Sequence, residues 1–226
     1  MILEAKTFKE DCQNVKTLAD TCLSIKKNLN YPVQDVRNQT LNNIEKISDS
    51  SLMILNLLDS WAIESPNQKY VISRLIGLEE PDKSNEVVNM ISKMTKLGFV
   101  LLSQFQIENC TRTLAKNLGA HSGQNKFYSE AKSLINALNL TQDKLEILNT
   151  TALIRNTLHN NRVHYSSHGT KTTVIKEARY EFIIGEHINC ATWNHITHAL
   201  QHSVYVLKEI FQHLQFKYFP YFTYLR

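Results

Sequence analysis

Turn-forming residues are scarce in this chain. Its 226 residues include only 6 glycines and 4 prolines, too few punctuators for a sandwich or barrel of many short strands. The four cysteines, Cys12, Cys22, Cys110 and Cys190, form no C-x-x-C pair. Neither a zinc knuckle nor a thioredoxin-like redox site is indicated, and we read them as free thiols used as small apolar side chains. Basic residues are dispersed, as in Lys26-Lys27, Lys93 with Lys96, Arg112 with Lys116, and Lys171 with Lys176. The lack of a basic run argues against a dedicated duplex-DNA reader. No P-loop, Rossmann glycine pattern or serine-nucleophile signature occurs.

The longest stretch without Asp, Glu, Lys or Arg runs from His187 to Leu207. Its histidines, asparagines and glutamine make it too polar to span a bilayer, and the apolar segment Leu97 to Leu102 is too short. Residues Met1 to Cys12 carry Glu4, Lys6, Lys9, Glu10 and Asp11 and show no apolar core of a secretory leader. From these features we expect a cytoplasmic protein with no membrane partner.

What is present fits a helical protein. Hydrophobic residues make up 42% and charged residues 20%, enough for one sizeable globular core. The net charge of +4 permits an acidic or nucleic-acid partner without demanding one. Helical spacing predicts a first helix from about Phe8 to Leu29, stopped at Asn30-Tyr31-Pro32 because proline biases the residue before it away from helix. A second runs from about Gln34 to Ile63, a short third from about Lys69 to Gly77, and a long fourth from about Asn85 to Leu118 with Gly98 inside it. Helices from about Lys126 to Leu138 and from Thr141, as N-cap, to about Asn160 follow.

The period then changes. Between Arg162 and Ile184, β-branched and aromatic residues alternate with polar ones, which predicts a hairpin with Ser166-Ser167-His168-Gly169 as its loop. A last helix covers about Cys190 to Gln215. Its apolar face is Trp193, Ile196, Leu200, Val204, Leu207, Phe211 and Leu214, and His195, His198 and His202 share the other face. Those histidines fit a solvated or interface stripe, with metal binding as the sharper alternative. The aromatic tail from Phe216 fits packing on the bundle better than base stacking. We therefore expect an all-α bundle with a small β-hairpin, one domain over residues 1–226. Its N-terminal helices occupy about 1–80. The second part, about 85–215, includes the hairpin at about 162–184.

One short stretch carries reactive chemistry: Leu153-Ile154-Arg155-Asn156-Thr157-Leu158-His159-Asn160-Asn161. On a helical wheel, Leu145, Leu148 and Ala152 form an apolar side that Arg155, Asn156 and His159 continue toward the C-terminal end. Two readings fit. A solvated helix end would place Arg and His at the negative end of the helix dipole, with Asn as a cap. A polar cluster beside an apolar contact surface would put guanidinium and imidazole together, since residues i and i+4 are neighbours. Arginine grips phosphate oxygens in a fork, and histidine takes or gives a proton near neutral pH. Cleavage of RNA through its own 2′-OH needs those two roles and no cofactor.

The Arg-Asn pair followed by His, late in a helix of an all-α protein, resembles the HEPN superfamily. That family's motif has Arg, a polar residue that is often Asn, three more residues, then His. Arg155 and Asn156 match its first two positions. His159 comes one residue early, and the strict position holds Asn160. The resemblance implies a HEPN-like helical bundle, often a homodimer whose two motifs face one cleft. Active members are metal-independent endoribonucleases of toxin–antitoxin, phage-defence or RNA-processing systems, and others are non-catalytic interaction modules. Carried onto this chain, Arg155 would bind the scissile phosphate and His159 would be the general acid or base. Asn156 and Asn160 would hold substrate or the histidine, His164 would be a second candidate histidine, and Glu108 would orient Arg155 or His159. RNA and an antitoxin or defence protein are the expected partners.

Overall fold

The structure is a computed structural model that describes residues 8–63, 84–124, 126–160, 162–165, 169–217 and 222–223. It is mostly helical with one small antiparallel sheet. In chain order the elements are α1 (Lys9–Leu29), α2 (Val36–Ile63), α3 (Ser84–Asn117), α4 (Phe127–Ala137), α5 (Gln142–His159), β1 (Lys171–Ile175), β2 (Ala178–Phe182), α6 (Trp193–Gln212) and the single turn α7 (Leu214–Lys217). The short helix expected over Lys69 to Gly77 lies outside the described residues. Among the described residues no helix is long and apolar enough to cross a membrane.

Local chemistry explains most of the boundaries. Helix α1 ends where Asn30 turns left-handed (φ 47°) and its N–H closes on the Lys26 carbonyl, a conformation Asn tolerates better than most residues. Asp35 caps α2: its Oδ1 accepts from the Arg37 N–H at 2.8 Å, and its charge suits the positive end of the helix dipole. Thr141 does precede α5, yet its side chain makes no cap hydrogen bond. Thr192 does cap α6, accepting from the His195 N–H at 3.2 Å, so that helix starts later than its apolar spacing predicts.

Helix α3 is the centre of the packing. It touches α2 on one side and α4, α5 and α6 on others, while α1 packs on α2 and α6, and α5 on α6 and β1. One contiguous hydrophobic core runs from Phe8 in front of α1 through Phe99, Leu148, Tyr180 and Trp193 to Phe222. The apolar face of α6 is buried as its spacing predicts, except Leu214, which is exposed beyond the break at His213. The four cysteines are buried free thiols. Burial pushes Cys110 and Cys190 up to about 12, so they remain neutral apolar side chains.

Gly98 sits mid-helix in α3, and a methyl group added there would meet nothing within 4 Å. Alanine lowers the backbone entropy of the unfolded chain and is the better helix former by about 1 kcal/mol. Gly98→Ala is therefore expected to raise the melting temperature by roughly 2–4 °C. A lower value in thermal unfolding would mean that something approaches this helix face closely.

The hairpin differs from its sequence expectation. Its turn is Lys176-Glu177, with Ile175 paired to Ala178 and Lys171 to Phe182, not Ser166 to Gly169, of which only Gly169 is described. Lys176 adopts φ 55°, the left-handed conformation that glycine usually supplies. With no glycine there, the tight turn left no signal. The Val163-His164 segment is not a hairpin strand. It makes isolated bridges to His187 and Ile184, and the hairpin proper packs beside it.

Candidate functional site

The candidate site is the last turn of α5 and the part of α3 beside it. Helix α5 buries Leu145, Leu148, Ala152 and Ile154, and also Thr150, Thr151 and Thr157. Thr151 Oγ1 lies 2.7 Å from Ser203 Oγ of α6. The inward side of this helix is thus partly polar, which the apolar spacing alone does not reveal. Arg155 is left at the edge, and Asn156, His159 and Asn160 are exposed.

Arg155 and Glu108 meet across the α3–α5 contact. Arg155 Nη2 donates to Glu108 Oε1, with side chains only 30% and 14% exposed. Gln104 Nε2, one turn earlier on α3, reaches the same carboxylate oxygen at 3.5 Å. The Arg155 Nε and Gln104 Oε1 atoms are buried with no hydrogen-bond partner. A charge-assisted contact of this kind fixes the guanidinium in one place. His159 follows one helical turn later. Among the described residues it makes no hydrogen bond or ion pair. Asn160 is the C-cap, its N–H shared between the Asn156 and Thr157 carbonyls at 3.2 and 3.1 Å.

His164 is not brought to this surface. The residue is 3% exposed, its Nδ1 lies 3.3 Å from Thr157 Oγ1, and its ring lies tilted against that of Phe182, 5.5 Å between centroids. The chain leaves α5 through a left-handed Arg162 (φ 68°) whose N–H bonds to the Thr157 carbonyl at 2.8 Å. His164 then exchanges backbone hydrogen bonds with Glu186 and Gly185 at 3.0 and 2.9 Å. This pinning turns the imidazole inward, behind Thr157. Five of the six expected site residues therefore lie in one region, and His164 belongs to the core beneath it.

The histidine stripe of α6 is a separate feature. Tyr180 of β2 is fully buried, and its Oη lies 2.7 Å from His198 Nδ1 and donates to the His195 carbonyl at 3.2 Å. His198 and His202 are 4.5 Å apart between ring centroids. No group of three or more His, Cys, Asp or Glu side chains could hold a metal among the described residues. The stripe instead seats the hairpin on α6. Burial lowers the pKa of His195. Burial and then His195 lower that of His198. For His202 burial comes first, followed by His198, Lys176 and Lys144.

All three histidines hold protons more weakly in the fold than in the unfolded chain. Stability from this contact is complete above about pH 6.5 and is lost as pH falls through that value toward the lowered folded pKa values. Glu130 is a second acid-labile point in a lower window. Burial raises its pKa, but hydrogen bonds from Ser122 and His121 outweigh burial and leave it lowered. Melting temperatures are expected to fall between pH 7 and 5. His198→Gln should flatten that fall, and an unchanged slope would remove the stripe as its source.

No protein-family model, curated protein or solved structure matches this chain.

Proposed function

We propose that this chain is a HEPN-like bundle that cleaves RNA without a metal, in the manner of a toxin or phage-defence endoribonuclease. The supporting observation is the arrangement at the end of α5. A guanidinium held by Glu108 from the neighbouring helix stands one turn from His159, an exposed imidazole that has no partner among the described residues. Arg155 binds the scissile phosphate and the charge that builds on it. The RNA 2′-oxygen forms a bond to phosphorus as the bond to the 5′-oxygen breaks. His159 is the general base that takes the 2′-OH proton or the acid that delivers one to the leaving oxygen. Asn156 and Asn160, both exposed, hydrogen-bond the substrate. The resemblance adds a homodimer with both motifs in one cleft, and an antitoxin or defence protein as regulator.

The test is incubation of purified protein with total cellular RNA in EDTA. The expected products carry 2′,3′-cyclic phosphate and 5′-hydroxyl ends. Intact RNA, or cleavage that needs a divalent ion, would refute this reading.

A second reading is favoured by one observation. Arg155 already meets its countercharge in Glu108, as a structural tie between α3 and α5 would require. The bundle would then be a non-catalytic module that dimerises or binds a partner protein or RNA.

A further inference from the structure

A groove of about 730 Å³ lies between the end of α1 and the first half of α2. Three lysines, Lys26, Lys27 and Lys46, and five carboxamides line it, and no carboxylate is among its described lining residues. Lys26 is already engaged, 2.5 Å from Glu45 Oε2 and 3.3 Å from Asn42 Oδ1. Lys27 and Lys46 are exposed and make no ion pair among the described residues. Asn38 Nδ2 is engaged too, donating to the Tyr31 and Pro32 carbonyls, so the groove offers two unneutralised cations beside carboxamides that keep part of their capacity to donate and accept hydrogen bonds.

This groove connects to the candidate site through one turn of α3. Asn43, in its wall, donates to Gln106 Oε1 of α3 at 3.0 Å. Glu108, on the same turn, holds Arg155. At 100° per residue, Phe105 stands between the two on the wheel, about 100° from Gln106 and about 60° from Glu108. Phe105 is 56% exposed. Around α3 the surface therefore reads, in order, cationic carboxamide groove, bare aromatic ring, guanidinium and imidazole.

We propose that this track binds single-stranded RNA. Lys27 and Lys46 take phosphates, the groove carboxamides take base edges, and one base stacks on Phe105 before the strand reaches Arg155 and His159. Base edges and faces are open to such contacts only when the strand is unpaired. The last step rests on the ribonuclease reading, while binding in the groove does not.

The test uses the whole protein and a fluorescein-labelled 2′-O-methyl oligoribonucleotide, which cannot be cleaved through its 2′-oxygen. Fluorescence anisotropy reads its affinity across a salt series. Wild type is expected to bind the single strand at least tenfold more tightly than the same sequence as a duplex. Lys27→Glu with Lys46→Glu should weaken single-strand binding tenfold or more. That double change should also flatten the salt dependence by roughly 1.4 in log–log slope, two phosphates' worth. Phe105→Ala should weaken it about tenfold. Melting temperatures report whether the variants fold, and Lys27→Gln with Lys46→Gln repeats the charge test without reversal. Duplex binding as tight as single-strand binding, no binding by wild type, or folded groove variants within twofold of wild type would each overturn the proposal. Groove-dependent binding by a protein that cleaves nothing would support the track and refute the ribonuclease. Metal-free cleavage with affinity unchanged in the groove variants would do the reverse.

Discussion

Replacing Arg37 with alanine is expected to lower the melting temperature by roughly 10 °C. Arg37 and Asp35 are both fully buried. Arg37 Nε and Nη2 donate to the two carboxylate oxygens at 2.9 and 2.6 Å, and Nη1 donates to the Phe216 carbonyl at 3.0 Å. The guanidinium lies 3.5 Å from the Tyr31 ring centroid and 4.7 Å from that of Phe222. Asp35 also accepts from the Phe222 N–H at 3.1 Å, and the Phe222 carbonyl accepts from Val36 at 2.7 Å. One ion pair thus joins the α1–α2 turn, the start of α2 and the end of the chain.

Removing Arg37 strands a buried carboxylate, which typically costs about 3–5 kcal/mol. Asp35→Ala should cost at least as much, because it also removes the α2 cap. The double replacement should cost clearly less than the sum, since neither charge is then left alone. Thermal unfolding of the three variants checks this. A drop under about 2 °C for Arg37→Ala would mean the pair is solvated in solution.

The second large effect is on activity. Arg155→Ala and His159→Ala are each expected to slow RNA cleavage by about 100-fold or more, the range for loss of a charge-stabilising group or a general acid–base. Their melting temperatures should stay within roughly 3 °C of wild type, because His159 is exposed and a partly solvated ion pair contributes little. His159→Ala should also remove one limb of the pH–rate profile. Glu108→Ala should slow cleavage less than Arg155→Ala, because it frees the guanidinium without deleting it. Glu108→Gln, which still accepts a hydrogen bond, should recover part of the loss. If the bundle is a binding module instead, Arg155→Ala and Glu108→Ala lower stability by similar amounts and no cleavage exists to lose. If Arg155→Ala and His159→Ala both leave genuine metal-free cleavage intact, the site lies elsewhere.

The separation of these outcomes follows from what is local and what is not. Helices α1, α2, α3 and α5 begin and end within a residue or two of their sequence expectations, because periodic apolar residues and stops such as Asn30 act over a few positions. The existence of a hairpin was visible in the same way, from β-branched and aromatic alternation after Arg162. Its turn was not, because Lys176 takes a left-handed conformation without the glycine that would announce it.

The sequence alone determined a helical chain with a short β insertion, buried cysteines, and a motif turn that puts Arg155 and His159 on one helix side. Only the tertiary structure decided which polar groups meet. Glu108 and Arg155 are brought together by the packing of α3 on α5, His164 is turned inward by its backbone hydrogen bonds with Gly185 and Glu186, and Phe222 reaches Asp35 through the closing of the chain on itself. Spacing along a helix ranks side chains by face. A buried charge or a hydrogen bond between distant residues is chosen by the fold, since a lone buried charge is too costly to leave unpaired and its partner can come from any segment that packs against it.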